Sequence, residues 1–326
     1  MHEFIAIGDI VTDAFIKLKD AKVNPERSTI TMAFGEKIPY ESVEEVLAVG
    51  NSANAAVAAA RLGLSSALVT HLGDDDNGAK ALKRLEEEKV STEYVTKEAG
   101  QKTNYHYVLW YGDDRTILVK HEQYNYQFPA LGGPTAKWLY LSSLGENTLE
   151  YHQQITEYLQ AHPEISLAFQ PGTFQLKLGT EKLKDIYART KIFFCNVGEA
   201  EHIIGIDTLG IEELLKRVKA LGPETVVITD GPKGAYAYDG TNIYQQLPYP
   251  DPKPPIDRTG AGDAMASTTV AALALGKDLE TAIKWGMVNS MSVVQQVGAQ
   301  KGLLSREKIE EYLRNAPEDF QTKKLS

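Results

Sequence analysis

The feature that most constrains the fold is the alternation of short apolar runs with amphipathic helical patterns along most of the chain. Six apolar runs are each closed by Gly, Asn, Asp or Pro: EFIAIGDI, SALVTHLG, WLYLSSLG, ISLAFQPG, KIFFCNV and TVVITDG. Near-continuous apolarity is typical of strands buried on both faces. Helical patterns lie between them: SANAAVAAARLG, NGAKALKRLEEEK, TLEYHQQITEYLQ and IEELLKRVKALG. This order predicts an α/β fold with a mainly parallel, doubly wound sheet.

Two regions break this rhythm and are rich in Thr, Tyr and Val. They are RSTITMAFGEKIPY with the following SVEEVLAVG, and TNYHYVLWYGDDRTILVKHEQYNYQF. Their composition predicts antiparallel strands or hairpins. We expect them to form a small separate sheet, a lid over the strand ends, built from residues 13–47 and 102–128. The rest of a single domain over 1–326 carries this lid, and the last six residues, QTKKLS, are expected to be a frayed tail.

Composition bounds the class of protein. A chain of 326 residues suits one large domain, and its formal net charge of −10 opposes contact with nucleic acid or anionic lipid. No run of 18 apolar residues occurs, so a membrane span is not expected. The single cysteine, Cys195, cannot form an intrachain disulfide, which favours a reducing, cytoplasmic location. Because it lies in an apolar run, we expect a buried, inert thiol.

The segment DRTGAGDAMAS, residues 257–267, carries the clearest chemistry. Gly260, Ala261 and Gly262 precede an Ala- and Leu-rich helical pattern. Small residues at a helix start let backbone N–H groups approach a ligand, and the helix dipole there favours a phosphate. Asp263 would repel that phosphate, unless it accepts a proton from an alcohol that attacks it. The alternative is a glycine-containing turn in which Asp263 only interacts with the helix dipole.

Three further polar clusters follow predicted strands or open predicted helices. Asp9 and Asp13 in GDIVTD either accept from sugar hydroxyls or belong to a turn. Asn51 and Asn54 in VGNSANAAVAAARLG either bind hydroxyls or cap the helix. Asn196 and Glu199 in NVGEAE either hold a hydrated Mg²⁺ or form a capping box at a helix start.

The order of these segments resembles a known family. GDIVTD, VGNSANAAVAAARLG, NVGE, TDGPKGA and DRTGAGD are similar, in that order, to the motifs of the ribokinase-like (PfkB) carbohydrate and nucleoside kinases. The resemblance covers the chain from Ile7 to about Leu304, and its most specific part is the segment DRTGAGD. It implies a three-layer α/β/α domain with a β-sheet lid, ATP as phosphoryl donor and Mg²⁺ as cofactor.

The resemblance also implies roles for individual residues. It makes Asp263 the general base, and the N–H groups of Gly260, Ala261 and Gly262 an anion hole. Asn196 and Glu199 would organise Mg²⁺, largely through water. The expected nucleotide-binding residues are Asn196, Thr229, Gly231, Gly234 and Asn289, and the expected acceptor-binding residues are Asp13, Gly50, Asn51 and Asn54. K⁺ is expected beside Asp257, Thr259 and the loop VGAQKG, as in some members, and the lid strands are expected to form a homodimer.

Departures from the family pattern leave the acceptor open. Val49 stands where a first glycine is common, Asn51-Ser52 replaces a common Lys-Gly, and Arg258 either contacts nucleotide phosphates or is a surface residue without a role. A pentose or hexose is the first choice of acceptor. A nucleoside is the alternative, because aromatic side chains can stack on a base and the lid segments contain several of them. They are Tyr105, Tyr107, Trp110, Tyr111, Tyr124, Tyr126 and Phe128.

Other classes of function fit less well. A non-catalytic sugar or nucleotide sensor on the same scaffold would not need Asp263, Asn196 and Glu199, and all three are present. A dehydrogenase is disfavoured because no G-x-G-x-x-G follows a predicted strand. A P-loop kinase is disfavoured because the Gly276-Lys277 pair precedes Asp278 rather than Ser or Thr.

Overall fold

The computed structural model describes residues 2–24, 29–112, 114–131 and 136–325. Its helices are α1 (Asn51–Arg61), α2 (Asp76–Glu87), α3 (Leu149–Ala161), α4 (Thr173–Leu178), α5 (Lys184–Arg189), α6 (Val197–Ile204), α7 (Ile211–Lys219), α8 (Ala261–Ala274), α9 (Leu279–Val293) and α10 (Arg306–Arg314). Its strands are β1 (Phe4–Ile7), β2 (Val11–Leu18), β3 (Lys22–Asn24), β4 (Thr29–Thr31), β5 (Tyr40–Val49), β6 (Ser66–Gly73), β7 (Val90–Ser91), β8 (Val95–Glu98), β9 (Tyr105–Tyr111), β10 (Asp114–Leu118), β11 (Trp138–Leu141), β12 (Ser166–Phe169), β13 (Thr190–Asn196), β14 (Thr225–Thr229), β15 (Ala235–Tyr238), β16 (Ile243–Gln246) and β17 (Lys323–Lys324).

Eleven strands form one large sheet. Ten of them follow the order β17-β16-β15-β14-β13-β12-β11-β1-β6-β7, and β8 pairs with β6 beyond β7. The pairs from β6 across to β14 are parallel, whereas β15, β16 and β17 join by antiparallel pairing. All six apolar runs are strands of this sheet. The prediction of a mainly parallel sheet is therefore confirmed.

Helices cover both faces of the large sheet. In β1, Phe4 and Ala6 belong to one buried core, with α1, α2, α8, α9 and α10, while Ile5 and Ile7 belong to a second core, with α3, α5, α6 and α7. Successive strand residues point to opposite faces, so a strand covered on both sides must be apolar at every position. The three-layer α/β/α architecture is confirmed.

Four strands form a smaller sheet in the order β10-β9-β2-β5. The expected antiparallel pairing is present in β9–β10 and in β3–β4, and β5 pairs antiparallel with β2. The strands β2 and β9 pair in parallel, which was not predicted. This parallel pair has a topological reason. The strand β2 follows β1 and β9 follows β8, and both of those precursors run parallel to β6. Both strands therefore leave the large sheet from the same edge and in the same direction.

The smaller sheet uses only part of the two predicted lid segments. The strands β3 and β4 pair with each other in a separate two-stranded ladder. Residues 119–128 lie outside any strand. Within that stretch Tyr124 and Tyr126 are buried, and the ring of Tyr126 lies 5.7 Å from that of Tyr151 in α3. Their alternation with polar residues therefore reflects packing on the large domain.

The described part of the C-terminal segment, residues 321–325, packs on the large sheet, so the expectation of a frayed tail was wrong there. Lys323 and Lys324 extend the large sheet by pairing with β16. The hydroxyl of Thr322 donates to Gln246 Oε1 at 2.7 Å, and Phe320 is buried against Tyr249. An edge strand with unpaired backbone groups provides the partner that the tail alone lacks. Within the described ranges, no helix is long and apolar enough to cross a membrane.

Candidate active site

Several chain segments meet at the carboxyl edge of the parallel strands, where ligands bind in open α/β sheets. Gln170 follows β12, Asn196 ends β13, Thr229 ends β14, and α8 begins beside them. Together they surround a cavity of about 210 Å³, which we call the donor cavity. Its lining is Asn51, Arg115, Gln170, Phe194, Cys195, Asn196, Glu199, Thr229, Arg258, Gly260, Ala261, Gly262, Asp263, Met265 and Ala266.

The start of α8 provides backbone donors in this cavity. Gly260 is the residue before the helix and has a φ of 80°, a left-handed conformation that favours glycine. A Cβ atom there would lie 2.3 Å from the Cβ of Ala299, so packing also excludes a side chain. The first N–H groups of a helix have no carbonyl partner within it. Gly260, Ala261 and Gly262 line the donor cavity, so these groups are placed where an anionic ligand would use them.

The carboxylate of Asp263, in the first turn of α8, is held by two amide groups. Asn54 Nδ2 donates to Asp263 Oδ2 at 2.9 Å, and Gln170 Nε2 donates to Asp263 Oδ1 at 3.2 Å. Burial raises the pKa of the Asp263 carboxyl above its ordinary value, and these two hydrogen bonds oppose that rise. A weakly solvated carboxylate with a raised pKa suits a general base.

A second, larger cavity of about 520 Å³ shares Asp263 with the donor cavity, and we call it the acceptor cavity. It is lined by Val11, Asp13, Val49, Gly50, Asn51, Asn54, His106, Arg115, Ile117, Val119, His121, Ser143, Thr173, Phe174, Lys177, Thr259, Asp263 and Ala299. Among the residues that the structure describes, Asn51, Arg115 and Asp263 alone line both cavities. Asp263 therefore stands between a cavity with backbone donors and a cavity with polar side chains.

All four residues expected to bind the acceptor line this second cavity, and they come from the smaller sheet and from α1. Asp13 of β2 lies 3.4 Å from His106 Nδ1, its neighbour across the parallel β2–β9 pair. Gly50 joins β5 to α1 with a φ of 111°, and a Cβ atom there would lie 2.7 Å from the carbonyl oxygen of Asp9. The amide of Asn54 points at Asp263, a contact that its sequence position did not reveal.

Asn196 and Glu199 form the capping box that was one alternative for them, and they also line the donor cavity. Asn196 Oδ1 accepts from the N–H of Glu199, and Glu199 Oε2 accepts from the N–H of Asn196, both at 2.9 Å. Burial raises the pKa of the Glu199 carboxyl, and the backbone hydrogen bond from Asn196 opposes this. The cap uses one of the two carboxylate oxygens of Glu199 and one lone pair of the single side-chain oxygen of Asn196, so acceptor capacity remains and both alternatives are compatible.

The residues expected to hold Mg²⁺ fit a hydrated ion. In the described part of the chain, no three His, Cys, Asp or Glu side chains come together as a metal-ligand group. The carboxylate of Glu199 lines the donor cavity, with the amide of Asn196 beside it. Mg²⁺ prefers oxygen ligands, keeps several waters and is often held by one or two carboxylates plus substrate phosphates.

Asp257 and Thr259 make contacts that shape the loop before α8. Asp257 Oδ1 accepts from the N–H and the hydroxyl of Thr259 at 2.9 and 2.7 Å. Asp257 Oδ2 accepts from the N–H of Gly298 at 2.9 Å. The carboxylate thus ties the loop before α8 to the VGAQKG loop, residues 297–302, that was expected beside it.

Three of the predicted nucleotide-binding residues line neither cavity. Asn289 is fully buried between α8 and α9, where its amide donates to Thr268 Oγ1 at 2.7 Å and accepts from the N–H of Leu304 at 2.8 Å. At Gly234 a Cβ atom would lie 2.0 Å from the carbonyl oxygen of Gln246, so this glycine permits close packing. Gly231 has a φ of 48° in a short 3-10 turn after β14.

The structure adds residues to the site that the sequence did not single out: Arg115, His106, His121 and Lys177 line one or both cavities. Gln170 also lines the donor cavity. It belongs to AFQPGTFQ, a segment that follows a predicted strand and was expected to lie where acceptor specificity could be set, without a role for any one residue. His106 alternates with two tyrosines along β9, which places it on the cavity side of the smaller sheet. The seven aromatic residues named for base stacking line neither cavity.

A helix start with backbone donors, beside a half-buried carboxylate at the carboxyl edge of a parallel sheet, could hold a phosphate group next to a proton acceptor. Comparison with known proteins identifies the family. A model of the pfkB family carbohydrate kinases matches residues 14–306. The chain belongs to this family, and it is an ATP-dependent phosphotransferase with an alcohol group as acceptor.

Individual relatives agree with this family. A ribokinase of Bacillus subtilis is 30% identical over 272 residues, which cover 81% of this chain and 87% of the relative. A nucleoside kinase of Methanothermobacter thermautotrophicus is 25% identical over 262 residues, covering 78% and 80%. Sugar and nucleoside kinases are thus both among the relatives.

Solved structures have the same fold. Arabidopsis thaliana ribokinase, complexed with ribose and ATP, matches with a TM-score of 0.78 at 19% identity, over 96% of this chain and 99% of that one. An Escherichia coli protein in complex with ATP and Mg²⁺ matches with a TM-score of 0.76 at 16% identity, over 97% of this chain and all of that one. The ribokinase-like fold class is confirmed.

Proposed function

We propose that this kinase transfers the γ-phosphoryl group of ATP to a hydroxyl of a small sugar, a pentose or a hexose, with Asp263 as general base. The observation that carries the proposal is the position of Asp263 between the donor and acceptor cavities. A hydroxyl in the acceptor cavity would then meet a carboxylate on the path to a phosphoryl group held in the donor cavity. Reactant positioning of this kind supplies much of the catalysis in phosphoryl transfer.

The proposed reaction is a direct transfer of the phosphoryl group from ATP to the acceptor hydroxyl. The acceptor oxygen forms a bond to the γ-phosphorus, the bond from that phosphorus to the bridging oxygen breaks, and ADP leaves with the bond's electron pair. The hydroxyl proton passes to a carboxylate oxygen of Asp263. The N–H groups of Gly260, Ala261 and Gly262 donate to the phosphoryl oxygens as their charge develops. Asn196 and Glu199 would hold Mg²⁺ through water, and Mg²⁺ would supply countercharge to the phosphates.

The lining of the acceptor cavity supports a sugar over a nucleoside. Hydroxyl partners such as Asp13, Asn51 and Ser143 are present, whereas the aromatic residues of the lid segments point elsewhere. Tyr105 donates to Glu45 Oε1 and its ring lies 5.3 Å from that of Tyr107. A nucleoside remains the second candidate because Phe174, beside His121 with ring centroids 5.3 Å apart, offers one face for a base.

Turnover of an Asp263→Asn variant tests the proposal. The amide cannot take the hydroxyl proton, so kcat should fall about 10²–10⁴-fold. Thermal stabilisation by ATP with Mg²⁺ should persist. ADP release is measured by a coupled assay with a panel of pentoses, hexoses and nucleosides, and Asp207→Asn, at an exposed position, is the matched control. Near-wild-type turnover in Asp263→Asn would refute the base, and ATP binding without acceptor-dependent ADP release would favour the sensor.

The smaller sheet would act as the lid, although the lid segments of 13–47 and 102–128 exceed it. His106, Arg115 and Ile117 of β9 and β10 line the acceptor cavity. Closure of this sheet over the acceptor would exclude water and limit ATP hydrolysis. The opposite face of the sheet is apolar and exposed, with Tyr107 at 49% and Leu118 at 51% exposure. A second copy of the chain would cover it, giving a homodimer through the lid.

Two further proposals concern the ion and the location of the enzyme. K⁺ would bind near Asp257 and Thr259, whose loop is tied to Gly298 and adjoins the anion cradle. Comparing turnover in potassium chloride with that in choline chloride at equal ionic strength tests this. The cytoplasm is the proposed location because the single cysteine, Cys195, is a buried thiol that suits a reducing compartment.

A further inference from the structure

We propose that Gln170 is a positioning residue for Asp263: its amide, oriented by Tyr140, holds one carboxylate oxygen while Asn54, oriented by Gln300, holds the other. This inference rests on the proposed role of Asp263 as base. Nothing in the motifs that relate the chain to its family includes Gln170 or Tyr140. The direction of each hydrogen bond in the network that joins Tyr140, Gln170, Asp263, Asn54 and Gln300 supports this role.

The orientation of the Gln170 amide is set from behind by Tyr140. The hydroxyl of Tyr140 donates to Gln170 Oε1. Tyr140 is fully buried, and burial raises the pKa of its hydroxyl well above the ordinary value, so the hydroxyl stays protonated and remains a donor. With its oxygen engaged, the amide presents its NH₂ group to Asp263 Oδ1 at 3.2 Å. A flipped amide would place its oxygen against the carboxylate and lose the hydrogen bond to Asp263.

A second amide mirrors the first on the other side of the carboxylate. Asn54 Nδ2 donates to Asp263 Oδ2 at 2.9 Å, and Asn54 Oδ1 accepts from Gln300 Nε2 at 3.2 Å. Gln300 is itself anchored, since the same Nε2 donates to the carbonyl oxygen of Ala48 at 2.6 Å. Asn54 and Gln300 are both buried. Each amide that touches the carboxylate therefore has its rotamer fixed by a donor behind it.

The consequence for Asp263 is a fixed carboxylate plane that stays available for a proton. One N–H group on each oxygen prevents rotation about the Cβ–Cγ bond and leaves each oxygen further acceptor capacity. Hydrogen bonds to a carboxylate favour its ionised form, which offsets the effect of burial. The titratable and charged groups around it from the neighbouring elements are Asp13, His106, Arg115, His121, Tyr140, Lys177, Glu199 and Arg258. A change confined to Gln170 leaves all of them in place.

The decisive variant is Gln170→Met, which keeps the length of the side chain and removes the amide. The pKa of Asp263 is read by ¹³C NMR of carboxyl-labelled aspartate, with the signal assigned by its loss in Asp263→Asn. We expect the titration to move upward by about one pH unit, because one hydrogen bond to the charged form is lost. The matched control is Gln160→Met on the exposed face of α3, which should leave the titration unchanged.

Kinetics give a second readout that a merely structural role would not produce. In Gln170→Met, kcat should fall about 10- to 100-fold, with the acid limb of its pH profile shifted in the same direction and the KM for ATP retained. Tyr140→Phe should give a smaller shift of the Asp263 pKa with the same sign, because the Gln170 amide is then free to rotate. Gln170→Glu should give the largest shift, since it sets a second carboxylic group against Asp263.

The outcomes separate this inference from the proposed function. An unchanged Asp263 titration in Gln170→Met overturns the positioning role, whatever the enzyme turns over. A second outcome has three parts: wild-type enzyme phosphorylates an acceptor, Asp263→Asn is inactive, and Gln170→Met matches wild type at every pH. The role of Asp263 as base is then upheld, and the positioning role of Gln170 is rejected. If wild-type enzyme phosphorylates nothing while the titration shifts as expected, the proposed function fails and the network is upheld.

Discussion

Replacing Gly260 by alanine should destabilise the start of α8 more than replacing the other glycine of the DRTGAGD segment, Gly262, by alanine. The φ of 80° at Gly260 lies in the left-handed region, where a side chain costs about 1–2 kcal/mol. The added Cβ would also lie 2.3 Å from the Cβ and 2.6 Å from the Cα of Ala299. Forcing a methyl group into packed surroundings typically costs about 1–3 kcal/mol. Together these give a loss of about 2–5 kcal/mol in the free energy of unfolding.

The melting temperature converts this loss into a measurable shift. An unfolding entropy of about 2.1 cal/mol/K per residue, for a chain of this length, gives a decrease of about 3–7 °C. Gly262→Ala is the matched control in the same segment. A Cβ atom there meets no other atom within 4 Å, and alanine is favoured over glycine inside a helix by about 1 kcal/mol. Gly262→Ala should therefore melt at or slightly above the wild-type temperature.

Differential scanning calorimetry of both variants, followed by the ADP-release assay, checks the reasoning. In Gly260→Ala the N–H groups of the cradle are displaced together with the helix start, so kcat should fall by about 10²-fold or more. A Gly260→Ala variant that melts within a degree of Gly262→Ala would refute the argument from backbone conformation and packing. A variant that is destabilised as expected but retains wild-type kcat would refute the role of the cradle alone.

Two further predictions concern stability at acid pH and the oligomeric state. Burial lowers the pKa of His152 from 6.5 to about 4 and keeps its imidazole neutral. The contribution of the neutral imidazole to the free energy of unfolding is therefore fully present above pH 6.5 and is lost as the pH falls toward 4. Urea unfolding of the wild type should show a loss of about 3 kcal/mol in the free energy of unfolding between pH 7 and pH 4. The His152→Gln variant should lack this loss, and an equal pH dependence in both proteins would contradict the prediction. Tyr107→Glu, on the exposed face of β9, should convert a dimer to a monomer in light scattering, whereas Gln160→Met should not. A wild-type chain that is monomeric at high concentration would reject the dimer.

The large sheet could be predicted from the sequence because burial on both faces leaves a simple mark, a run that is apolar at every position. The smaller sheet was predicted less well. Thr, Tyr and Val favour strands but do not specify which strands pair, so the parallel β2–β9 ladder was missed. Tyr124 and Tyr126 look like strand residues in the sequence, yet their rings pack on the large domain near Tyr151.

At the site, the residue types could be read from the sequence but their partners could not. Asp263 and Asn54 were both candidates, and the hydrogen bond between them joins residues 209 positions apart. Asn54 was expected to bind the acceptor, and it does line the acceptor cavity. The sequence did not reveal that its amide also donates to Asp263 and accepts from Gln300. An amide side chain offers donors and an acceptor in any direction, so only the packed neighbours decide how it is used.

The connection between the smaller sheet and α1 links the acceptor cavity to the base. The strand β5 ends at Val49, α1 begins at Asn51, and only Gly50 joins them. On one side of this junction Gln300 binds the carbonyl of Ala48, and on the other side Asn54 binds Asp263. A rotation of the sheet about its base must therefore be absorbed at Gly50, whose φ of 111° is accessible mainly to glycine, or else be transmitted to the amide that holds the carboxylate. The same short segment that lines the acceptor cavity is thus connected, through Asn54, to the group proposed to take the proton.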